Sequence, residues 1–237
     1  MGLFEVCSGD SDGGLKLITK QLIKKYSVLI CLVISAFFIV IATSVYPGGS
    51  LLDKNSIGFD WSKNFISNLF AEKAINGSEN TSRIWALIGI IFHSFGYGIF
   101  FINMSKKITV RSAATVLKLV GAANVLFTFL IATPLHDIMV TISSTLFLIG
   151  LFYITVFMLR TKLHFFKFAC IICLLTFYYT LFLYGSGDWG LLAIMQKVSF
   201  ISSMLLVLGL EYFTKKEDFL QTVKSSHGLE DSKFKSF

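Results

Sequence analysis

Six stretches of the chain are apolar over roughly the 20 residues that a helix needs to cross a 30 Å hydrocarbon core: 26–46, 84–104, 113–133, 138–159, 165–184 and 191–213. Charge or turn chemistry bounds each one. Tyr46-Pro47-Gly48-Gly49-Ser50 stops the first, Thr133-Pro134-Leu135-His136-Asp137 divides the third from the fourth, and Tyr184-Gly185-Ser186-Gly187-Asp188-Trp189-Gly190 divides the fifth from the sixth. Lipid offers the backbone no hydrogen bonds, so these runs predict helices despite their richness in Phe and Ile. Between the first two spans lies the one long outer loop, 46–83. Its middle, 59–70, has helical periodicity, with Trp61, Phe65, Ile66 and Leu69 on one face and Asp60, Asn64, Ser67 and Asn68 on another. That pattern predicts a short amphipathic helix lying in the headgroup region. Two roles fit its polar stripe: a solvated face with Asp60 as N-cap, or a roof turned inward over a pocket between the spans. Asn76-Gly77 marks a turn, and Ser78-Glu79 predicts the cap of the second span.

The predicted architecture is therefore all-α, a polytopic six-transmembrane helix bundle with a short amphipathic helix in its first outer loop. Composition agrees: of 237 residues, 54% are hydrophobic and 15% charged, where soluble domains carry about 25% charge. The basic residues set the orientation. Lys16, Lys20, Lys24 and Lys25, then Lys106, Lys107, Arg111 and Lys118, then Arg160, Lys162 and Lys167, then Lys215, Lys216, Lys224, Lys233 and Lys235 fall on one side, 16 of the 21 Lys and Arg. Only Lys54, Lys63, Lys73 and Arg83 fall on the other, with Lys197 inside the last span. The positive-inside rule then makes both tails, 1–25 and 214–237, cytoplasmic around a membrane domain at 26–213, in a plasma or inner membrane. The net charge of +7 is this asymmetry and implies no nucleic-acid partner. The long apolar stretch lacks a small-x-small site before Tyr46, which favours an uncleaved anchor, and Val6 stands where myristoylation needs Ser or Thr. The tail after Phe213 is polar and mixed in charge, as flexible segments are.

Candidate chemistry comes from polar residues at membrane depth, where each needs a partner or water. Gly89, His93 and Gly96 share a face of the second span, Gly121, Asn124 and Thr128 a face of the third, and Gln196, Ser199 and Ser203 a face of the sixth beside Lys197. Interhelical packing accounts for most of the small and hydroxylated residues. His93, about 15 Å below the outer boundary on a 1.5 Å rise, and Lys197 call for more. Catalytic candidates are His93 or His136 as a base with Asp60 or Asp137 as its orienting carboxylate; Asp137 also fits as the cap of the fourth span. Ligand-binding candidates are Asp60, Asn64, Ser67, Asn68, Asn124, Asp188, Gln196 and Lys197, with the Lys197 ammonium as a point charge for a phosphate or carboxylate headgroup or as an outward snorkel. His93 and His136 differ too much in depth to share an ion, and no metal site is expected. Cys170-x-x-Cys173 sits in an apolar helix and, with Cys7 and Cys31, implies no disulfide framework. No ATP-binding loop, nucleophile elbow or dinucleotide fingerprint appears, so no cofactor is expected. Asn76-Gly77-Ser78 and Asn80-Thr81-Ser82 are N-glycosylation sequons.

Tyr46-Pro47-Gly48-Gly49, Gly58-Phe59-Asp60-Trp61, Asn64-x-x-Ser67-Asn68-Leu69 and Ser78-x-Asn80, followed by a span, resemble a family of small integral membrane proteins catalogued as domain of unknown function 998. Gly190-Leu191-x-x-x-x-Gln196-Lys197 resembles the start of that family's last span, where a Gln-Arg or similar pair is usual. The likeness runs over 46–212. Where the family commonly has Ser-Asp-Leu-Gly, this chain has Ser67-Asn68-Leu69-Phe70 and so lacks the acid. A fainter likeness, in the Asn-x-x-Ser-Asn segment and the six-span layout, is to the Frag1/DRAM/Sfk1 group, which implies a role near lipid or glycolipid-anchor metabolism. Three functions fit: a module binding a lipid or small amphipathic ligand in a pocket open to the outer leaflet; an intramembrane lipid-modifying hydrolase or transferase; or a structural subunit with a membrane-protein partner or a second copy. Membrane lipids are the partners common to all three.

Overall fold

The computed structural model describes residues 11–130, 133 and 136–220, except for the side chains of 11–18, 129, 136, 137 and 140. Among the described residues the fold is all-helical: α1 (Ser11–Ser44), α2 (Arg83–Lys107), α3 (Arg111–Leu130), α4 (His136–Met158), α5 (His164–Ser186) and α6 (Trp189–Phe213), with one turn of 3-10 helix at Ile66–Phe70. Among the described residues five stretches, Thr19–Ser44, Arg83–Lys107, Thr141–Met158, His164–Ser186 and Trp189–Phe213, are long and apolar enough to cross a membrane, which marks an integral membrane protein. The exception is α3, whose 20 residues include Arg111, Lys118 and Asn124.

The helices run up and down in sequence. Neighbours α1 to α4 pack side by side, α5 and α6 form a hairpin, and α6 returns to touch α2 and α1. The α2–α3 crossing is close because both sides lack a side chain: a Cβ on Gly121 would meet the Phe101 Cβ at 3.0 Å and the Gly98 carbonyl at 3.1 Å. Gly89 and Gly96 serve α1 in the same way, against Ile39 and Leu32. At the basic end Phe100, Phe101, Met104, Leu117, Ile154, Met158 and Leu210 form a fully buried core. At the loop end Tyr46, Ile66, Leu69, Phe70, Ala86 and Ile90 form a second cluster.

The structure corrects the sequence pattern in four places. Helix α1 starts at Ser11 and not near 26; its 34 residues reach about 51 Å at 1.5 Å each, well beyond a hydrocarbon core. The chain after Phe213 is not free at once, since Phe219 is buried in the core and Asp218 accepts the Lys215 N–H. Helix α2 starts at Arg83 with Ser82 as N-cap; Ser78 and Glu79 belong to a turn before it. In place of an amphipathic helix over 59–70 there is a turn at 60–64 and then the single 3-10 turn. The cause is local. Asn64 Oδ1 accepts the Asp60 N–H and Asn68 Oδ1 accepts the Phe65 N–H, so side chains take bonds that a helix would give to carbonyls.

Candidate functional site

The loop over 46–82 is a built object. Pro47 and Gly58, Gly49 and Ser56, and Gly48 and Asn76 are joined by backbone bonds. Gly48 and Gly49 take φ of +137° and +84°, and a side chain on Gly49 would run into the backbone of Ile75 and Asn76. Tyr46, at the end of α1, donates to the Gly49 carbonyl and accepts the Ile75 N–H through the same hydroxyl. Asn64, 0% exposed, donates through Nδ2 to the Gly49 carbonyl at 2.6 Å. Asn80 Nδ2 reaches the carbonyls of Asn68, Leu69 and Ala71 at the end of the 3-10 turn, the Leu69 carbonyl also accepting the Ser82 hydroxyl, while Asn80 Oδ1 accepts the Ser82 N–H and hydroxyl. The two sequons are thereby unequal. Asn76 is exposed at a turn, whereas the Asn80 amide nitrogen is engaged inside the loop.

This loop is clamped onto α6 by adjacent residues. Gln196 Oε1 accepts the Ile66 N–H at 2.8 Å, and Lys197 Nζ donates to the Asn64 carbonyl at 2.5 Å and the Ala193 carbonyl at 2.6 Å, with the Phe59 ring centroid 5.8 Å away. Beneath the clamp lies a cavity of about 390 Å³, within the roughly 300–1,000 Å³ of small-molecule sites. The 3-10 turn with its N-cap (Phe65, Ile66, Ser67 and Phe70) forms its roof, and α2 to α6 supply its walls. One polar wall is Asn124, whose Oδ1 accepts the Thr128 and Ser143 hydroxyls. Opposite it, Thr180 and Ser199 share a hydrogen bond at 2.8 Å, and deeper in, Tyr97 and Ser203 share one at 2.7 Å. His93 stands between Tyr97 and Phe200, its ring stacked on both at 4.2 and 4.8 Å, and its buried Nδ1 has no hydrogen-bond partner. Leu51, Leu181, Tyr184 and Trp189 are both lining and exposed, which places the rim at the loop end, beside α5.

The sequence candidates divide accordingly. Ser67, Asn124, Gln196 and His93 line the cavity. Asn64, Asn68 and Lys197 do not; they hold the roof together. The Lys197 ammonium is therefore turned to backbone carbonyls and neither snorkels nor faces the cavity. Asp188 is the N-cap of α6, accepting the Leu191 N–H at 3.1 Å. The side chains of His136 and Asp137, in the first turn of α4, lie outside the described residues. Among the described residues no group of His, Cys, Asp and Glu could hold a metal ion. Tyr97, Ser143 and Thr180 are cavity residues that sequence reasoning passed over. For Tyr97 a signal existed, since it follows His93 by four residues on the same helix face.

Asp60 is outside the cavity and sets the turn that leads into the roof. Its Oδ1 accepts the Ser62 hydroxyl at 2.6 Å and the Ser62 N–H at 2.8 Å, with Lys63 Nζ 3.5 Å from Oδ2. These bonds, the Ser62 hydroxyl first, favour the carboxylate and hold its pKa below the usual value. A depressed folded-state pKa stabilises above the ordinary carboxylate range and ceases to do so as pH falls through the lower folded value. Amide exchange at 62–64 is therefore expected to quicken modestly as pH drops below about 4, after correction for intrinsic rates. The effect is small because the group is exposed and solvent-screened. An equal response in Asp60→Asn would show that another group is responsible.

Compared with known proteins, the chain matches no family model, no curated protein and no solved structure.

Proposed function

We propose that this is a six-span membrane protein that binds an amphipathic membrane ligand, a lipid, in the cavity under its loop. The observation that carries the proposal is a roofed cavity with hydroxyl and amide walls at the loop end of an apolar bundle. Polar groups that need partners in a membrane interior are gathered there around space. The sixth span is α3: 20 residues rise about 30 Å, a hydrocarbon thickness, and the helix packs between α2 and α4. Lys and Arg then put both termini in the cytoplasm and the rim at the outer leaflet. Membership of the family catalogued as domain of unknown function 998 is part of the same proposal. In its support, six of the residues that carry the likeness, Tyr46, Gly48, Gly49, Asn64, Asn68 and Asn80, hold the loop and its roof together.

Binding is favoured over turnover. His93 has aromatic rings on both faces, and among the described residues no carboxylate bonds to it, so a base there has nothing to orient it. The test is lipid mass spectrometry on purified protein, comparing wild type with Ser144→Trp, which fills the cavity from its α4 wall. Wild type is expected to carry an amphiphile that the variant lacks. Identical lipid profiles, with both proteins folded, would remove the proposal.

A further inference from the structure

The hydrogen-bonding groups around the cavity are unevenly satisfied. Gln196 commits its carbonyl to the Ile66 N–H, which fixes the amide's orientation and leaves Nε2 without an acceptor among the described residues. Asn124 is alike: its Oδ1 takes two hydroxyls, and its Nδ2 donates to nothing described. His93 makes no hydrogen bond at either ring nitrogen, and as a neutral imidazole it carries one donor. The walls thus hold unspent neutral N–H donors. Among the described residues no Asp, Glu, Lys or Arg lines the cavity, and Lys197 is engaged by the Asn64 and Ala193 carbonyls.

We infer that the cavity receives an uncharged head bearing ester-carbonyl and hydroxyl oxygens, the chemistry of a monoacylglycerol, and discriminates against the same head carrying a phosphate. The inference rests on the binding function proposed above and specifies its ligand. Carbonyl and hydroxyl oxygens accept from the amide nitrogens of Gln196 and Asn124, donors that are costly to leave unmade once buried. A phosphate also accepts, but it would surrender its hydration to walls that, among the described residues, offer no countercharge, and a desolvated anion without a cation is disfavoured more than the hydrogen bonds return. The acyl chain lies along Phe147, Phe177 and Leu181 and leaves past the exposed side of α5.

The test compares two probes that differ only in the phosphate. The full-length protein in phosphatidylcholine nanodiscs is labelled with a tail-diazirine analogue of 1-oleoylglycerol, and unlabelled 1-oleoylglycerol and 1-oleoylglycerol 3-phosphate compete for the site. The phosphate is expected to compete at least tenfold more weakly. Gln196→Glu keeps an oxygen for the Ile66 N–H and replaces the donor by an acceptor; it is expected to lose fivefold or more of the 1-oleoylglycerol affinity with unfolding temperature little changed. Equal or stronger competition by the phosphate overturns the uncharged-head assignment and leaves a ligand site in place. Labelling no greater than in Ser144→Trp, and displaced by neither lipid, overturns the binding function itself.

Discussion

Asn80→Leu is expected to open the loop over the cavity at a cost of about 3 kcal/mol. One side chain satisfies groups from two segments: the carbonyls of Asn68, Leu69 and Ala71 before it, and the N–H and hydroxyl of Ser82 after it. Leucine has the same branched shape, a larger volume and no polar atom. It leaves the Asn68 and Ala71 carbonyls without that donor, while the Leu69 carbonyl keeps the Ser82 hydroxyl, and each unmade buried bond costs about 1–3 kcal/mol. Water entering the opened loop recovers part of this, which keeps the total near the lower end of the sum. At about 1.4 kcal/mol per factor of ten, the open population rises on the order of a hundredfold. Tryptic cleavage at Lys63 and Lys73, under conditions where reclosing outpaces cleavage, reads that population. Cleavage within threefold of wild type would mean that Asn80 does not carry the loop.

Lys197→Met is expected to cost less, about 2 kcal/mol, and to be felt in a narrower place. The ammonium makes two short bonds, but their loss is unequal. Ala193 lies one helical turn before Lys197 and keeps its backbone partner, so only the Asn64 carbonyl is orphaned. Removing a charge from a site 7% exposed also relieves a desolvation penalty, which offsets part of the loss. Methionine preserves the stem's packing and isolates the charge. Deuterium uptake over 62–70 is expected to rise roughly thirtyfold in rate, by the same conversion, with exchange at the basic end unchanged. If 62–70 exchanges as in wild type, the clamp contributes nothing to holding the roof.

Much of the bundle was legible because lipid imposes a blunt requirement, a run of apolar residues about as long as the core is thick. The same rule is least clear for α3, where Lys118 and Asn124 interrupt the apolar run. The loop was less legible. Its helical periodicity between Phe59 and Phe70 is real, yet Asn64 and Asn68 capture backbone N–H groups locally, and both the apolar Leu69 and the polar Asn64 end up buried. A pattern that sorts residues into wet and dry faces cannot describe a segment covered on both.

At the site, Asn124 and Gln196 stood out as amides in apolar helices. Thr180 did not, because Thr in such helices commonly returns its hydroxyl to the preceding turn, as Thr176 and Thr180 both do. Lys197 was visible as a charge at membrane depth. Its partner was not, since a backbone carbonyl 133 positions away leaves no mark in a residue pattern.

Helix α6 reaches three other parts of the molecule from successive turns: the loop through Gln196 and Lys197, α5 through Ser199, and α2 through Ser203. A rod tied to several neighbours at once cannot rotate or slide against one of them alone. Anything that displaced this helix would move lid, side wall and floor together, with α6 as their common lever.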